Sequence, residues 1–479
     1  MKTKAAITAA CTAALIVGLS IFQFPRVFGQ GSLTPPPGPP APTMKTLDQL
    51  EARKPIDPTQ PGFALPYTIS ARGSYYLTAN LAVTGGNAIV ISASNVTLDL
   101  NGFTISSSAS PAGGTAIAPG AFLTDITILN GHLAGSFQHG IRYSGAISQL
   151  KNVRVEGISV SGCSGDGINL SNFSSIVIDR CTVQQAGANG IVGGSVNNSV
   201  AENCGSAGIT AKTATNSVGS SSASQRGIYA STAVNCVGTS ASGTGLDVDS
   251  ATGCRGESTA VSSTGTGLNA VTATGSYGSN SNGSGIGLSA LSANGCYGFG
   301  NQGTGLNATT ATNCFGQSAG SGTGLNATTA TGCSGQSAAS GSGIYAFNAE
   351  NSYGTSSSGY GINAVNANGS YGISSSASGL VAITASGCYG ESNSGVGLGA
   401  RTATNCYGQS TSNYGLYTDP GNALNCWGFS SSWYGLSAAT AAFCHGGTAT
   451  GQYAITCTIA IGCSATSGAL LSSYRYLMP

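Results

Sequence analysis

Charge is what this sequence has least of. Lys, Arg, Asp and Glu make up 6% of its 479 residues, 16 basic against 15 acidic, with three histidines. That balance supplies no electrostatic footprint for nucleic acid or for an anionic membrane surface, so neither partner is expected. Helical periodicity is equally scarce, and beyond the first residues no apolar run is long enough to cross a membrane as a helix. From Ala260 onward only Glu350, Glu391, Arg401, Asp419 and Arg475 carry charge, with His445 the single imidazole. General acid–base chemistry needs such groups within reach of one another, which nearly excludes the second half as an active site. Low charge with abundant Gly and Ser is also the composition of disordered chains. Here, however, hydrophobic residues reach 41% and fall in regular positions, which argues for a packed core.

The first residues differ from the rest. Lys2 and Lys4 precede an apolar run from Ala5 to about Phe22, and Val27 and Gly29 offer small residues for cleavage. Residues 1–29 read as a secretory signal peptide, with an uncleaved membrane anchor as the alternative. Residues 30–43 hold six prolines between Pro35 and Pro42, an extended linker. Thr46 and Gln49 then fit a capping box for a short helix over Leu47 to Arg53, so residues 44–67 are expected to cap the open end of a repetitive region. Export is expected, to the medium or the cell surface.

Beyond residue 67 the chain repeats itself. Residues 303–337 read GTGLNATTATNCFGQSAGSGTGLNATTATGCSGQS; Leu306 recurs as Leu325 and Cys314 as Cys333, 19 residues later in each case. A fixed period of this length is the mark of a solenoid. Apolar residues alternate in NVTLDLNGFTI (95–105) and LTDITILNGHL (123–133), the pattern of strands with one buried face. Stacking the segments on one another aligns Ile168 with Ile191, Asp179 with Glu202 and Cys181 with Cys204. The spacing is about 23 residues in the coils of 68–257 and 18–20 in the more regular coils of 258–479.

Two columns set the expected geometry. The position before the cysteine column reads Asn203, Asn216, Asn235, Gly253, Gly275, Gly295, Asn313, Gly332, Asn351, Gly369, Gly387, Asn405 and Asn425. Asparagine and glycine share tolerance of the left-handed backbone, which predicts a sharp bend repeated in every coil. The second column is Gly-[Leu/Ile]-x-Ala, as in Gly305-Leu306-Asn307-Ala308, a strand with Leu and Ala inward. With these features, and with phrases such as NVTLDLNGFTI and GDGINL, the region from Thr68 to Cys463 resembles the right-handed parallel β-helix of secreted, pectin-lyase-like bacterial proteins. The expected fold is thus all-β: a single-stranded parallel solenoid of about 18 coils. A left-handed hexapeptide helix lacks support, because no six-residue repeat is present.

Of the 15 cysteines, 14 come after the signal segment. An even number in an exported chain suggests disulfides. Their column is broken by Ser217, Ser276, Ser352 and Ser370 into runs, some of them odd, and stacked equivalents ~4.8 Å apart stand too wide for the bond. A buried thiol ladder is the expectation, and no metal site, since thiols in a row do not form a tetrahedron.

Catalytic candidates are confined to the first half. Glu156, Asp179 and Glu202 would align outward beside Arg180, ~5 Å apart between neighbours, distances used by glycosidases. Calcium would suit the same stack, whereas the simpler reading is a solvated acidic stripe. His139 and Asp166 precede the Gly-Ile of adjacent coils and are expected to meet at one turn, without an accompanying nucleophile. The resemblance implies a polysaccharide lyase or glycosidase as one alternative, yet neither family's pattern of catalytic acids is intact. The TAT triplets at 213–215, 272–274 and 402–404 suggest an ice-binding row, interrupted by Ser292-Ala293-Asn294 and Asn366-Ala367-Asn368.

One stripe remains. Directly after the cysteine column stand Tyr277, Tyr297, Phe315, Tyr353, Tyr371, Tyr389, Tyr407 and Trp427, broken by Ser334. If cysteine points inward, strand alternation turns these rings outward. The expectation is a structural and adhesive solenoid without catalysis or cofactor, presenting the rings to a polysaccharide or a cell-surface partner; a ladder that only stabilises itself is the competing account.

Overall fold

The computed structural model describes residues 52–476, apart from 111, 144–149, 172–174, 260–264 and 452. The expected signal segment and linker, and nearly all of the expected capping helix, lie outside these residues. Among the described residues there is no helix, and the strands join in one continuous parallel arrangement. The chain is a parallel β-solenoid. One ladder runs from Tyr67–Ile69 to Ala469–Tyr476 through 21 strands, so there are about 21 turns rather than about 18. At ~4.8 Å per coil the stack is about 100 Å long. Pairing starts early: Lys54–Ile56 already lies against Tyr75–Leu77, inside the segment read as a cap.

Early coils carry three short strands on three ladders, as in Ile89–Ile91, Val96–Asp99 and Thr104–Ser107. From Ile209–Thr215 to Leu398–Thr404 the first two strands of each coil run together over seven residues, whereas Leu416–Tyr417 and Asn422–Leu424 stay separate. The register skips one residue at the corner between them: Ala211 faces Ala230, and the next pair is Thr213 with Thr232. The skip leaves two consecutive side chains outside, so Leu306–Thr312 buries Leu306, Ala308 and Ala311 and exposes Thr309 and Thr310. Leu, Ala, Ala and then Cys314 fill one layer of the core.

The bend after this strand is where the backbone turns left-handed. All 13 asparagine and glycine positions of the bend column have φ between 47° and 61°. Twelve share one corner. Asn203 lies at another, and Asn198 takes its place, accepting from Asn216 Nδ2 at 3.4 Å. The alignment made from sequence fails in this coil. Ile168 does face Ile191, 23 residues on, but Asp179 faces Asn197, only 18 on. Five residues are lost between the first and second ladders, so every later position shifts. Cys181 therefore stacks on Ser199, and Cys204 on Ser221 at a different corner.

Why the column after the bend tolerates only Cys and Ser is explained by its hydrogen bonds. The corner breaks the backbone ladder, and the N–H there reaches the side chain of the next coil. Cys254 N donates to Ser276 Oγ (3.1 Å), Cys296 N to Cys314 Sγ (3.4 Å) and Cys333 N to Ser352 Oγ (3.2 Å). That side chain in turn donates to the carbonyl two residues earlier, Ser276 to Thr274 at 2.9 Å and Cys314 to Thr312 at 3.2 Å. A small group that both accepts and donates is required, and serine and cysteine qualify. All described cysteines are free thiols. Burial pushes Cys181 up to about 11, and Cys426 is held protonated by hydrogen bonds with Cys406 and Cys444 and by burial.

The third strand reads aromatic-Gly-x-Ser, out-in-out-in, as in Phe315–Ser318. Its glycine is dictated by the thinness of the coil: a Cβ on Gly316 would lie 2.3 Å from Gly324 O. In several coils its serine clamps the glycine-rich turns, although the buried Ser318 hydroxyl itself has no hydrogen-bond partner among the described residues. Ser392 Oγ donates to Ala377 O (2.6 Å) in the preceding coil's turn and accepts Gly395 N–H (2.8 Å) from its own. Ser356, Ser374 and Ser410 repeat the pattern.

Candidate functional site

The aromatic stripe occupies the outer face of the third ladder, in register at every coil from Tyr277 to Trp427. The rings touch. Centroids are 5.1 Å apart for Tyr277–Tyr297 and Tyr297–Phe315, 5.3 Å for Tyr353–Tyr371 and 4.4 Å for Tyr371–Tyr389. Tyr389–Tyr407 and Tyr407–Trp427 continue the row at 4.9 and 5.4 Å. Rings this close cannot lie side by side in one plane. They overlap face to face, as in Tyr389–Tyr407 at 12° between planes, or meet edge to face, as in Tyr371–Tyr389 at 90°. The stripe is thus shingled rather than flat, and each contact adds about 0.5–1.5 kcal/mol beyond burial. Arg255 covers its first ring, the guanidinium 5.1 Å from the Tyr277 centroid.

Two residues along each strand runs a second outward column, which includes Gln317, Gln336, Thr355, Ile373, Glu391 and Gln409. Phenol groups reach across to it: Tyr297 donates to Gln317 Oε1 (2.6 Å), Tyr371 to Glu391 Oε2 (3.0 Å) and Tyr407 to Gln409 Oε1 (3.2 Å). Burial, and after it the Glu391 carboxylate, pushes Tyr371 far up and Tyr389 up to about 12. Ser334 interrupts the rings but keeps the register, facing Phe315 on one side and Tyr353 on the other.

The acidic constellation assembles only in part. Glu156 does face Asp179, but Glu202 faces Gln184 on the third ladder, because of the five residues lost earlier in that coil. The two carboxylates that do meet are occupied. Arg154 donates to Glu156 at 2.6 Å and reaches Asp179 at 3.4 Å; Arg180 pairs with Glu156 and lies 3.5 Å from Asp179. Asn198 Nδ2 adds a bond to buried Asp179 at 3.0 Å. Two cations and an amide around two acids make a neutral lattice across coils.

His139 and Asp166 do meet, both buried. The Asp166 N–H donates to His139 Nδ1 at 2.9 Å, so the lone pair a general base would use is taken. Burial, and then the nearby Arg142 guanidinium, lowers the His139 pKa and keeps the ring neutral. Asp166 also accepts from Asn189 N–H (3.1 Å), Asn189 Nδ2 (3.0 Å) and Asn169 Nδ2 (3.0 Å). The group ties three successive coils together. Among the described residues no three His, Cys, Asp or Glu side chains cluster as a metal would require, and no helix is long and apolar enough to cross a membrane.

Two features escaped the sequence reading. A groove of about 500 Å³ runs along the corner between the first and second ladders, lined by Asn307, Thr309, Asn326, Tyr345 and Phe347. Nearer the C-terminal end Tyr414, Tyr434 and Tyr453 stack at 5.5 and 5.7 Å, with Trp433 edge-on to Tyr434. Tyr414 and Tyr434 directly precede Gly415 and Gly435, a column that the period could have revealed. The threonine row is broken as read, with Ser292 between Thr272 and Thr310. No protein-family model, no curated protein and no solved structure matches this chain.

Proposed function

We propose that the chain is an exported or cell-surface adhesive solenoid, without catalysis, whose third ladder binds an extended neutral polysaccharide. The observation that carries this reading is the pairing of two columns on one face, rings beside amides, at the ~4.8 Å coil spacing. Sugars present apolar C–H faces and hydroxyls together, and the face offers a partner to each. The near absence of charge beside the stripe selects against a polyanion. Glu156, Asp179 and His139, the residues of the enzymatic alternative, are tied up by Arg154, Arg180 and backbone, which favours the adhesive reading.

The test is a triple replacement of Tyr371, Tyr389 and Tyr407 by Ser, assayed on insoluble cellulose, xylan, mannan and chitin. The parent is expected to bind at least one of them. The variant loses four ring contacts, so its melting should fall, yet it should remain β-rich and lose binding. Full binding in a destabilised variant would leave the rings a purely structural role.

A further inference from the structure

The gap at Ser334 is the one interruption of the stripe between Tyr277 and Trp427. Phe315 on one side and Tyr353 on the other stand two coils apart, or ~9.6 Å, with Ser334 as the floor between them. Elsewhere in the stripe each ring touches the next, stacked, tilted or edge to face. Here Phe315 stacks on Tyr297 on one side and Tyr353 leans at 58° against Tyr371 on the other, which leaves each of the two without a ring neighbour on the side of the gap. Tyr353 is correspondingly 40% exposed.

The hydrogen bonds change at the same place. Each phenol that reaches the next coil finds an amide or acid: Tyr297 meets Gln317, Tyr371 meets Glu391, Tyr389 meets Gln409 at 3.3 Å. The residue so placed to serve Gln336 is Phe315, which has no hydroxyl. The residue that Tyr353 would reach is Ile373, which cannot accept. The side chains of Ser334, Gln336 and Tyr353 thus carry no hydrogen bond among the described residues, and Gln336 is exposed. Two rings without a neighbour on that side and three unclaimed polar groups surround one gap.

We infer that this gap is a subsite for a single pyranose ring of a neutral polysaccharide, held between Phe315 and Tyr353 and hydrogen-bonded by Ser334, Gln336 and Tyr353. The inference rests on the adhesive reading proposed for the stripe and locates its strongest contact. Size chooses the occupant. Midway between the two coils, each ring's backbone position is ~4.8 Å off, about 1 Å beyond the ~3.5–4.0 Å carbon contact distance, so a flat arene would rattle. A sugar chair carries axial hydrogens above and below its mean plane and fills that space. No charged residue lies between Glu257 and Glu350, which suits an uncharged sugar.

The experiment titrates the parent, Ser334→Tyr and Gln336→Ala with soluble tetramers of β-1,4-linked glucose, xylose, mannose and N-acetylglucosamine. Ser334→Tyr fills the gap and rejoins the two stacks. It is expected to melt at or above the parent and to bind roughly tenfold more weakly or worse, a loss of about 1.4 kcal/mol or more. Gln336→Ala should melt like the parent and bind several-fold more weakly. If the parent binds a tetramer and Ser334→Tyr binds it equally, the subsite is overturned while the stripe reading stands. If the parent binds no tetramer but does bind insoluble glycan, the subsite is likewise overturned; if it binds neither, both readings fall. Should Ser334→Tyr not fold, Gln336→Ala decides, unchanged affinity counting against the subsite.

Discussion

Replacing Gly316 by alanine would put a methyl group against backbone that has nowhere to go. The new Cβ would lie 2.3 Å from Gly324 O, 2.8 Å from Gly324 C and 2.9 Å from Leu325 Cβ. Contact between such atoms begins about 1 Å further out. Gly324 O cannot simply retreat, because it accepts the Leu306 N–H at 3.0 Å and holds adjacent coils together. Overpacking costs about 1–3 kcal/mol and a buried hydrogen bond left unmade a further 1–3, so the coil should lose about 2–6 kcal/mol. Two other glycines serve as controls. Gly399 has ordinary φ and nothing nearer than 3.9 Å, so Gly399→Ala should be neutral or slightly stabilising. Gly275 is open but has φ +52°, so Gly275→Ala should cost about 1–2 kcal/mol from backbone strain alone. Solenoids open locally rather than all at once, which makes amide hydrogen exchange the right assay. In Gly316→Ala, protection around 305–325 should drop by a factor between roughly 30 and roughly 20,000, at about 1.4 kcal/mol per decade. Equal effects at Gly316 and Gly399 would refute the claim that backbone packs directly on backbone.

The buried thiols and phenols give two further expected outcomes. A thiol reagent applied near pH 8 should label Cys457, which is half-buried, before the ladder cysteines, which should stay unlabelled until the chain unfolds, because the reagent must reach the sulfur and the ladder thiols are at most 3% exposed; rapid labelling of the native ladder would contradict the burial. On alkaline titration, Tyr389 has its folded pKa raised to about 12 from 10.0, so its share of stability is complete below pH 10 and is lost as pH rises through about 12. Part of the phenolate absorbance should therefore appear only with loss of β signal, and titration of every tyrosine near pH 10 with the fold intact would exclude that coupling.

Much of the coil could be read from residue types alone. The Asn/Gly column was legible because a left-handed bend admits few side chains, and the Leu-x-Ala column because a narrow interior admits only small or slender ones. The charged site was not legible in full. The match of Ile168 to Ile191 is correct, and it made a 23-residue spacing look secure through the rest of the coil. The five-residue loss falls between two strands, where no side chain signals it, and Glu202 was carried to the wrong ladder. Ring orientation was also out of reach. Alternation says that Tyr389 points outward, but only the ~4.8 Å coil spacing, set against the width of a ring, makes it lean on Tyr407.

The near-identity of consecutive coils has a kinetic side. Leu306 pairs with Leu325, but Ile344, one coil further, would fill the same position almost as well. A growing stack that skipped residues 322–340 would bring Phe315 directly onto Tyr353 and close the break at Ser334. That misregistered state gains a ring contact and loses only one layer of buried Leu325, Ala327, Ala330 and Cys333. Slippage is therefore least penalised at the very coil whose side chains leave the gap open, and correct growth there depends on nearest-neighbour strands zipping before the more distant match can form.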